Sequence, residues 1–524
     1  MRRRVHPKHV LRHQYFQEKS SKMKEAIRFT VIIGIILALI ICAVIWPLYG
    51  LIGLGLSLVS LGVYDIVQTK HTILRNFPII GHMRYLLELI GPEIHQYFIE
   101  SNTDGKPIDR NHRTYIYQRA KLQNETHPFG TELNVNEENF IWMKHSIYPT
   151  PVLKEHPREM IGGPDCTKPY SASLFNISAM SFGALSKNAI MALNLGAKAG
   201  NFYHNTGEGG ISDYHLHGGD LVFEIGTGYF GCRTEDGHFS PEEFSKKAAF
   251  HEVKMIEIKL SQGAKPGHGG VLPAVKNNTE IAQIRGVEPH TIVLSPPGHS
   301  AFKDAKGLVQ FVRQLQDLSG GKPVGFKLAI GSKEEFIDIC KAMVETGIKP
   351  DFITIDGAEG GTGAAPIDFS NYVGMPWENA LIFAVDTLRG FNLKQDVKII
   401  TATKIFTAFD IIKALCIGAD VCNSARGMML ALGCIQALRC DTNKCPTGVA
   451  TDDPKLRRGL VVAEKWKRVK NYQEQTMDDF VELFAATGCQ TLDQLNRSII
   501  LKKVNGTILS YAEIYPDVEM GSYL

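Results

Sequence analysis

Net charge is almost absent from this chain of 524 residues, in which 57 lysines and arginines stand against 54 aspartates and glutamates, a formal balance of +3. The basic residues gather at the extreme N-terminus and form no stripe along the body, so the electrostatic footprint of a nucleic-acid-binding protein is missing. A disulfide framework is missing as well: the ten cysteines are irregularly spread over a long chain, a pattern of reduced thiols or of a metal or cluster site. No small-residue cleavage site follows the basic lead of 28 residues, which argues against a removed signal peptide.

Charge is also missing from Phe29 to Tyr64. Pro47 and Gly50 divide this run into two halves of 17 residues, Phe29–Ile45 and Leu48–Tyr64. Each is at the short limit for a helix crossing a hydrocarbon core of about 30 Å. Arg2, Arg3, Arg4, Lys8, Arg12, Lys19, Lys22, Lys24 and Arg28 precede the run against only Glu18 and Glu25. The positive-inside rule then keeps the N-terminus in the cytoplasm, and two spans return the chain to it. The expectation is a multi-pass anchor in the inner, cytoplasmic membrane, with the catalytic body in the cytoplasm.

Residues 65–150 are mixed, with Pro78, Gly81 and Pro92 cutting short helical pieces such as Met83–Ile90, and read as a linking subdomain. From Leu174 onward, apolar runs of strand length alternate with helix-period stretches. Phe175–Met180 precedes Ser186–Gly196, Val324–Ala329 precedes Glu334–Thr346, and Lys398–Thr401 precedes Phe406–Leu415. Met255–Lys259, Thr291–Leu294 (before Lys303–Leu315), Phe352–Ile355 and Val421–Asn423 are further strand candidates. This alternation implies a parallel sheet, and the length to Leu432 suits an eight-unit α/β barrel, a (β/α)8 or TIM barrel. The competitor is a doubly wound open sheet. Gly226-Thr-Gly228-Tyr-Phe-Gly231 matches the dinucleotide fingerprint, but no helix-period pattern follows it.

In a parallel barrel, reactive groups sit at the C-terminal ends of strands. Asp356-Gly-Ala-Glu-Gly360-Gly361-Thr-Gly363 follows one strand, and its glycines let backbone N–H groups approach an anionic or planar ligand. Ser424-Ala425-Arg426 lies between the last strand and a helix start, where barrels hold phosphate. Two more glycine-framed loops carry Glu208 and Lys265, and Lys327 nearly ends an apolar strand, where a charge requires a partner. Cys434, Cys440 and Cys445 are spaced six and then five apart and closed by Pro446. That is the layout of a cuboidal iron–sulfur site. A zinc site needs a fourth ligand, and the nearest preceding histidines, His290 and His299, are not local.

Several of these segments together resemble the FMN domain of the glutamate synthase family. They are Ile177-Ser-Ala-Met-Ser-Phe-Gly-Ala-Leu-Ser186, Asn205-Thr-Gly-Glu-Gly-Gly210, Lys265-Pro-Gly-x-Gly-Gly-x-Leu-Pro273, Ser295-Pro-Pro, Gly360-Gly-Thr-Gly-Ala and the cysteine run through Thr451. The resemblance covers about residues 150–470, in the family's order. It implies a (β/α)8 barrel over 151–470 carrying FMN beside a [3Fe-4S] cluster; residues 471–524, beyond the resemblance, read as a C-terminal helical extension. It also implies conversion of 2-oxoglutarate and ammonia, through 2-iminoglutarate, to L-glutamate. Carried over, Cys434, Cys440 and Cys445 would be the cluster ligands. Ala179, Met180 and Ser181 would lie against the flavin with Lys327 near its N1 side. Gly360, Gly361, Gly363, Ser424, Ala425 and Arg426 would hold the phosphate. Lys265 and Arg285 would take substrate carboxylates, with Glu208 near the reacting carbon.

Departures from the family pattern are local. His268 and Val271 stand where the family loop has a glutamate and a glutamine, and Ile400-Thr-Ala-Thr-Lys404 lacks the expected glycines. The first departure keeps open another amino or keto acid as substrate; a barrel kept as a redox or scaffold protein is the non-catalytic alternative. The first cysteine, Cys42, lies inside the apolar run and offers no nucleophile for glutamine hydrolysis, and no pyridine-nucleotide domain is recognisable. The resemblance is therefore to stand-alone, membrane-anchored members. These would draw on free ammonia or a separate amidotransferase, and on an external electron carrier such as a ferredoxin or a quinone.

Overall fold

The computed structural model describes residue 34, residues 47–123 and residues 126–524. It divides into two compact units, Met1–Ser101 and Asn102–Leu524. In the first, a helix spans Pro47–Val67 with Gly50, expected to break the run, inside it. Its Gly50–Val67 stretch is long and apolar enough to cross a membrane. The first half of the expected hairpin, Phe29–Ile45, lies outside the described residues. Two helices follow, Thr72–Asn76 and Gly81–Ile94. Asp65 ties the second of them and the turn before it to the long helix, accepting the Ile79 N–H at 2.8 Å and contacting His82 Nε2 at 3.0 Å.

The second unit contains a closed barrel of eight parallel strands. In chain order they are β1 (Phe175–Ile177), β2 (His204–Asn205), β3 (Leu221–Ile225), β4 (Val253–Lys259), β5 (Val324–Leu328), β6 (Phe352–Asp356), β7 (Lys398–Ala402) and β8 (Val421–Ser424). Closure pairs β8 with β1 through Cys422–Phe175, Asn423–Asn176 and Ser424–Ile177. The helices between and after them are α1 (Lys187–Gly200), α2 (Pro241–Ala248), α3 (Ala305–Leu318), α4 (Lys333–Thr346), α5 (Trp377–Gly390), α6 (Ala408–Ile417) and α7 (Arg426–Leu432). Five of them begin on a capping side chain: Ser186, Ser240, Asp304, Ser332 and Thr407 each accept the N–H three residues on. Such a cap stabilises by about 1 kcal/mol.

The sequence reading differs from this barrel at three segments, one strand too many and two too few. Thr291–Leu294 is not a barrel strand; Val293–Leu294 pairs antiparallel with Val271–Leu272 in a two-stranded ribbon. The strands it displaces are the two-residue β2 and the charged β3.

The barrel interior changes character along its axis. At the N-terminal end Tyr203, Val222, Met255, Phe352, Ile400 and Val421 form an apolar cluster with Ile161 and Ala172. These two residues belong to a hairpin, Arg158–Ile161 with Tyr170–Ser173, which closes that end. One layer up, Glu257 accepts from Asn205 Nδ2 at 2.8 Å and Thr354 Oγ1 at 2.6 Å. At the C-terminal end the same alternation of inward residues delivers Glu224, Lys259, Lys327 and Asp356, so the interior ends in charges. A helix over Val462–Thr487 packs on α1, and a hairpin, Ile500–Val504 with Thr507–Ser510, adds Ile141–Met143 as a third strand.

Candidate active site

The charged end of the barrel opens into a cavity of about 640 Å³. Its walls are the loops that leave the strands. Ala179, Met180 and Ser181 come from the loop after β1, Glu208 from that after β2, and Lys265 from that after β4. Arg285, the last residue of the helix Thr279–Arg285, enters from the same connection. Gly360, Gly361 and Gly363 come from the loop after β6, and Ala425 and Arg426 follow β8. Cys434 and Cys440 also face this space, beyond α7.

Lys327, Ser424 and Cys445 lie behind the wall. Lys327 is buried in the barrel, its Nζ 3.6 Å from Glu224 Oε2 and 3.9 Å from Asp356 Oδ2. Burial alone would lower its pKa, but Glu224, Asp356 and the other carboxylates around it hold the ammonium above its usual value. Burial raises the Glu224 carboxyl above the usual carboxylate range, and one of its oxygens has no hydrogen-bond partner. Ser424 donates to the Ile405 carbonyl at 2.6 Å and ties β8 to the loop after β7.

Glu208 faces cations. Its Oε1 is 2.8 Å from Lys259 Nζ. Burial pushes its pKa up, but Lys259, then Arg285 and Lys265, bring it below the ordinary value, so the carboxylate is ionised. Lys265 is nearly fully buried, and burial lowers its pKa to about 8 despite Glu208. Its ammonium donates to the Ala364 carbonyl at 3.3 Å. Arg285 donates from Nη2 to the Phe182 carbonyl at 3.0 Å, and its Nε is a buried donor without a partner. Burial lowers this guanidinium to about 10. Three cations and one carboxylate thus face the cavity together, an arrangement suited to a carboxylate-bearing substrate.

The loops that carry these groups abut backbone to backbone. Gly207 has φ +65°, and a Cβ there would lie 2.5 Å from Ser181 N. A Cβ on Gly263 would lie 1.6 Å from the Gly357 carbonyl. No side chain fits at either junction, which is why glycine stands there.

The cysteine segment wraps tightly. Gln436, Leu438 and Asn443 all take left-handed φ, between +53° and +60°, without being glycine. Tyr117 donates to the Cys434 carbonyl at 2.6 Å, and buried Lys276 donates to the Cys440 carbonyl at 3.1 Å. The thiols lie close enough to influence one another's ionisation. Burial raises the Cys434 thiol to about 12 and raises Cys440. Burial acts the same way on Cys445, but the Thr447 hydroxyl and the N–H groups of Ala450, Thr447 and Val449 outweigh it and stabilise its thiolate. Among the described residues no group of three His, Cys, Asp or Glu converges to hold a single metal ion. Thiols that each serve a different iron of a cuboidal core need not converge on one point.

A family model described as a conserved region in glutamate synthase matches residues 133–490. The chain belongs to the glutamate synthase family. It is 37% identical to the glutamate synthase large subunit-like protein YerD of Bacillus subtilis, over 90% of this chain and 98% of that one. It is 33% identical to the archaeal glutamate synthase [NADPH] of Methanocaldococcus jannaschii, over 61% of this chain and 60% of that one. The glutamate synthase [NADH] of Saccharomyces cerevisiae matches at 31%, over 62% of this chain and 14% of its own length. The chain is a glutamate synthase-like oxidoreductase, of the class acting on CH-NH2 donors.

Within this family's site, the two departures in the substrate loop separate in space. Val271 lines the cavity. His268 is not among the lining residues; its ring packs edge-on against Phe369 and contacts the Gly269 carbonyl at 2.9 Å. Sequence reasoning missed Lys259, Glu224 and Lys276. The signal for Lys259 was available, since it closes an apolar strand as Lys327 nearly does.

Proposed function

We propose that this protein reductively aminates 2-oxoglutarate with ammonia, through 2-iminoglutarate, to L-glutamate, using FMN and a [3Fe-4S] cluster. The observation that carries the reading is the ionised Glu208 set among Lys259, Lys265 and Arg285 in a cavity that also reaches Cys434 and Cys440. The groups present suit both cofactors. The glycine-lined loop after β6 and the cation Arg426 suit a flavin nucleotide's phosphate, and the strained cysteine loop with its N–H donors suits an inorganic core. Bound FMN supplies the two-electron chemistry.

Lys265 and Arg285 bind and orient the two substrate carboxylates. Glu208, kept ionised, takes a proton from ammonium as nitrogen adds, and Lys259, 2.8 Å away, holds a proton for the departing oxygen. Balance requires two electrons, from two reduced ferredoxins or from one quinol, and two protons, from solvent in the first case and from the quinol in the second, and one water leaves. Ammonia is free or comes from a separate amidotransferase. The Gly50–Val67 helix supports a membrane anchor. With the uncharged run before it, this favours a two-helix hairpin and a cytoplasmic catalytic unit at the inner membrane.

A second reading keeps both cofactors and changes the substrate. It is favoured by Val271, which puts an apolar side chain on the cavity wall where an amide is expected. The test of the cofactor assignment is chemical: purified full-length protein is expected to release FMN on denaturation and to contain iron and acid-labile sulfide. A preparation folded and colourless, with none of these, would sink it.

A further inference from the structure

The loop after β7 lacks the glycines expected of it, yet its backbone takes their conformation. Thr403 has φ +116° and Lys404 φ +50°. L-residues hold such a backbone only where contacts fix it. The fixing contacts are present: the Thr403 hydroxyl donates to Asp356 Oδ1 at 2.5 Å and accepts the Gly357 N–H at 2.9 Å. The loop after β7 is thereby joined to the glycine-rich loop after β6, and the next residue, Lys404, stands in the cavity wall beside Arg426. Burial and then the charge of Arg426 hold the Lys404 ammonium below its usual value. Arg426 gives Nη2 to the Glu359 carbonyl at 2.6 Å. Among the described residues neither cation has an ion pair with a carboxylate.

We propose that Lys404, with Arg426, is a side-chain ligand of the phosphate of the bound flavin nucleotide, a cation added to the wall at the turn where the family has glycine. The left-handed turn at Thr403–Lys404 is kept because it carries this side chain to the anion. The inference rests on the FMN reading above.

Full-length protein stripped of flavin and titrated with FMN and with riboflavin, by flavin fluorescence quenching, separates the two. Lys404→Met is expected to weaken FMN about 10-fold to 100-fold, the worth of a charge-assisted hydrogen bond, and to leave riboflavin unchanged. Lys404→Arg is expected to recover most of the loss. Lys404→Gly relaxes the backbone and removes the cation, so it is expected to follow the Met variant and not the wild type. An unchanged FMN-to-riboflavin affinity ratio in Lys404→Met, with wild type binding FMN, overturns this inference alone. Wild-type protein that binds no FMN overturns the cofactor reading and this inference with it.

Discussion

Replacing Glu208 by Gln removes the carboxylate set among Lys259, Lys265 and Arg285, and its cost should shrink when a dicarboxylate is bound. At 2.8 Å, in an effective dielectric near 20, the attraction to Lys259 is about 6 kcal/mol before desolvation is counted. Breaking a fully buried pair costs about 3–5 kcal/mol; the Glu208 side chain is 19% exposed, so water recovers part, and about 2–3 kcal/mol is expected. The same change removes the carboxylate that offsets Lys265 and Arg285 and part of what offsets Lys259, so a dicarboxylate binds more tightly and returns more stability by mass action. Thermal unfolding of the flavin-loaded protein, with and without saturating 2-oxoglutarate, reads both effects. The variant should melt lower than wild type alone and gain more from the ligand. Equal melting of the two free proteins, or a larger ligand shift in wild type, would refute the electrostatic account of the site.

Three further outcomes follow from the same geometry. Because burial sets Lys265 near pKa 8, it is a cation below that pH and neutral above it. Hence kcat/KM for the keto acid, which reports the free enzyme, should fall as pH rises through about 8; a flat profile from pH 7 to 9.5 would contradict its role. Gly207→Ala drives a Cβ to 2.5 Å from Ser181 N at φ +65°. It should cost about 2–5 kcal/mol from the left-handed backbone and overpacking, seen as a lower Tm and lower flavin content. Cys445→Ala should abolish iron and labile sulfide while leaving the barrel's circular dichroism intact; retention of full iron would remove Cys445 from the ligand set.

Much of the barrel is written in alternation, because apolar strand runs and helix-period stretches differ in period. Phe352–Ile355 and Lys398–Thr401 were each within a residue of β6 and β7. Where the alternation was unreadable, the cause is physical. β2 has only two residues, too few for any period, and β3 carries Glu224 inward because the interior is ionic at that level. Val293–Leu294 is as apolar as a barrel strand but pairs with Val271–Leu272 at the cavity, a difference of partner that composition does not express. In the site, glycine-framed loops marked Glu208 and Lys265. Thr403 and Lys404 gave no such mark, since their left-handed backbone is imposed by Asp356 and Gly357 from another loop. Lys327 was assigned to the flavin by resemblance alone; its ion pairs with Glu224 and Asp356 come from other strands and leave no mark in the local sequence.

The most direct test of the central claim is an anaerobic one on detergent-solubilised full-length protein. The flavin is reduced with dithionite, and its absorbance is followed as 2-oxoglutarate and ammonia are added together. The site described here predicts that the flavin reoxidises and that L-glutamate forms in equal amount. A bound flavin that stays reduced with this pair, but reoxidises with a keto acid bearing an apolar side chain, would contradict 2-oxoglutarate as the substrate and give Val271 its meaning.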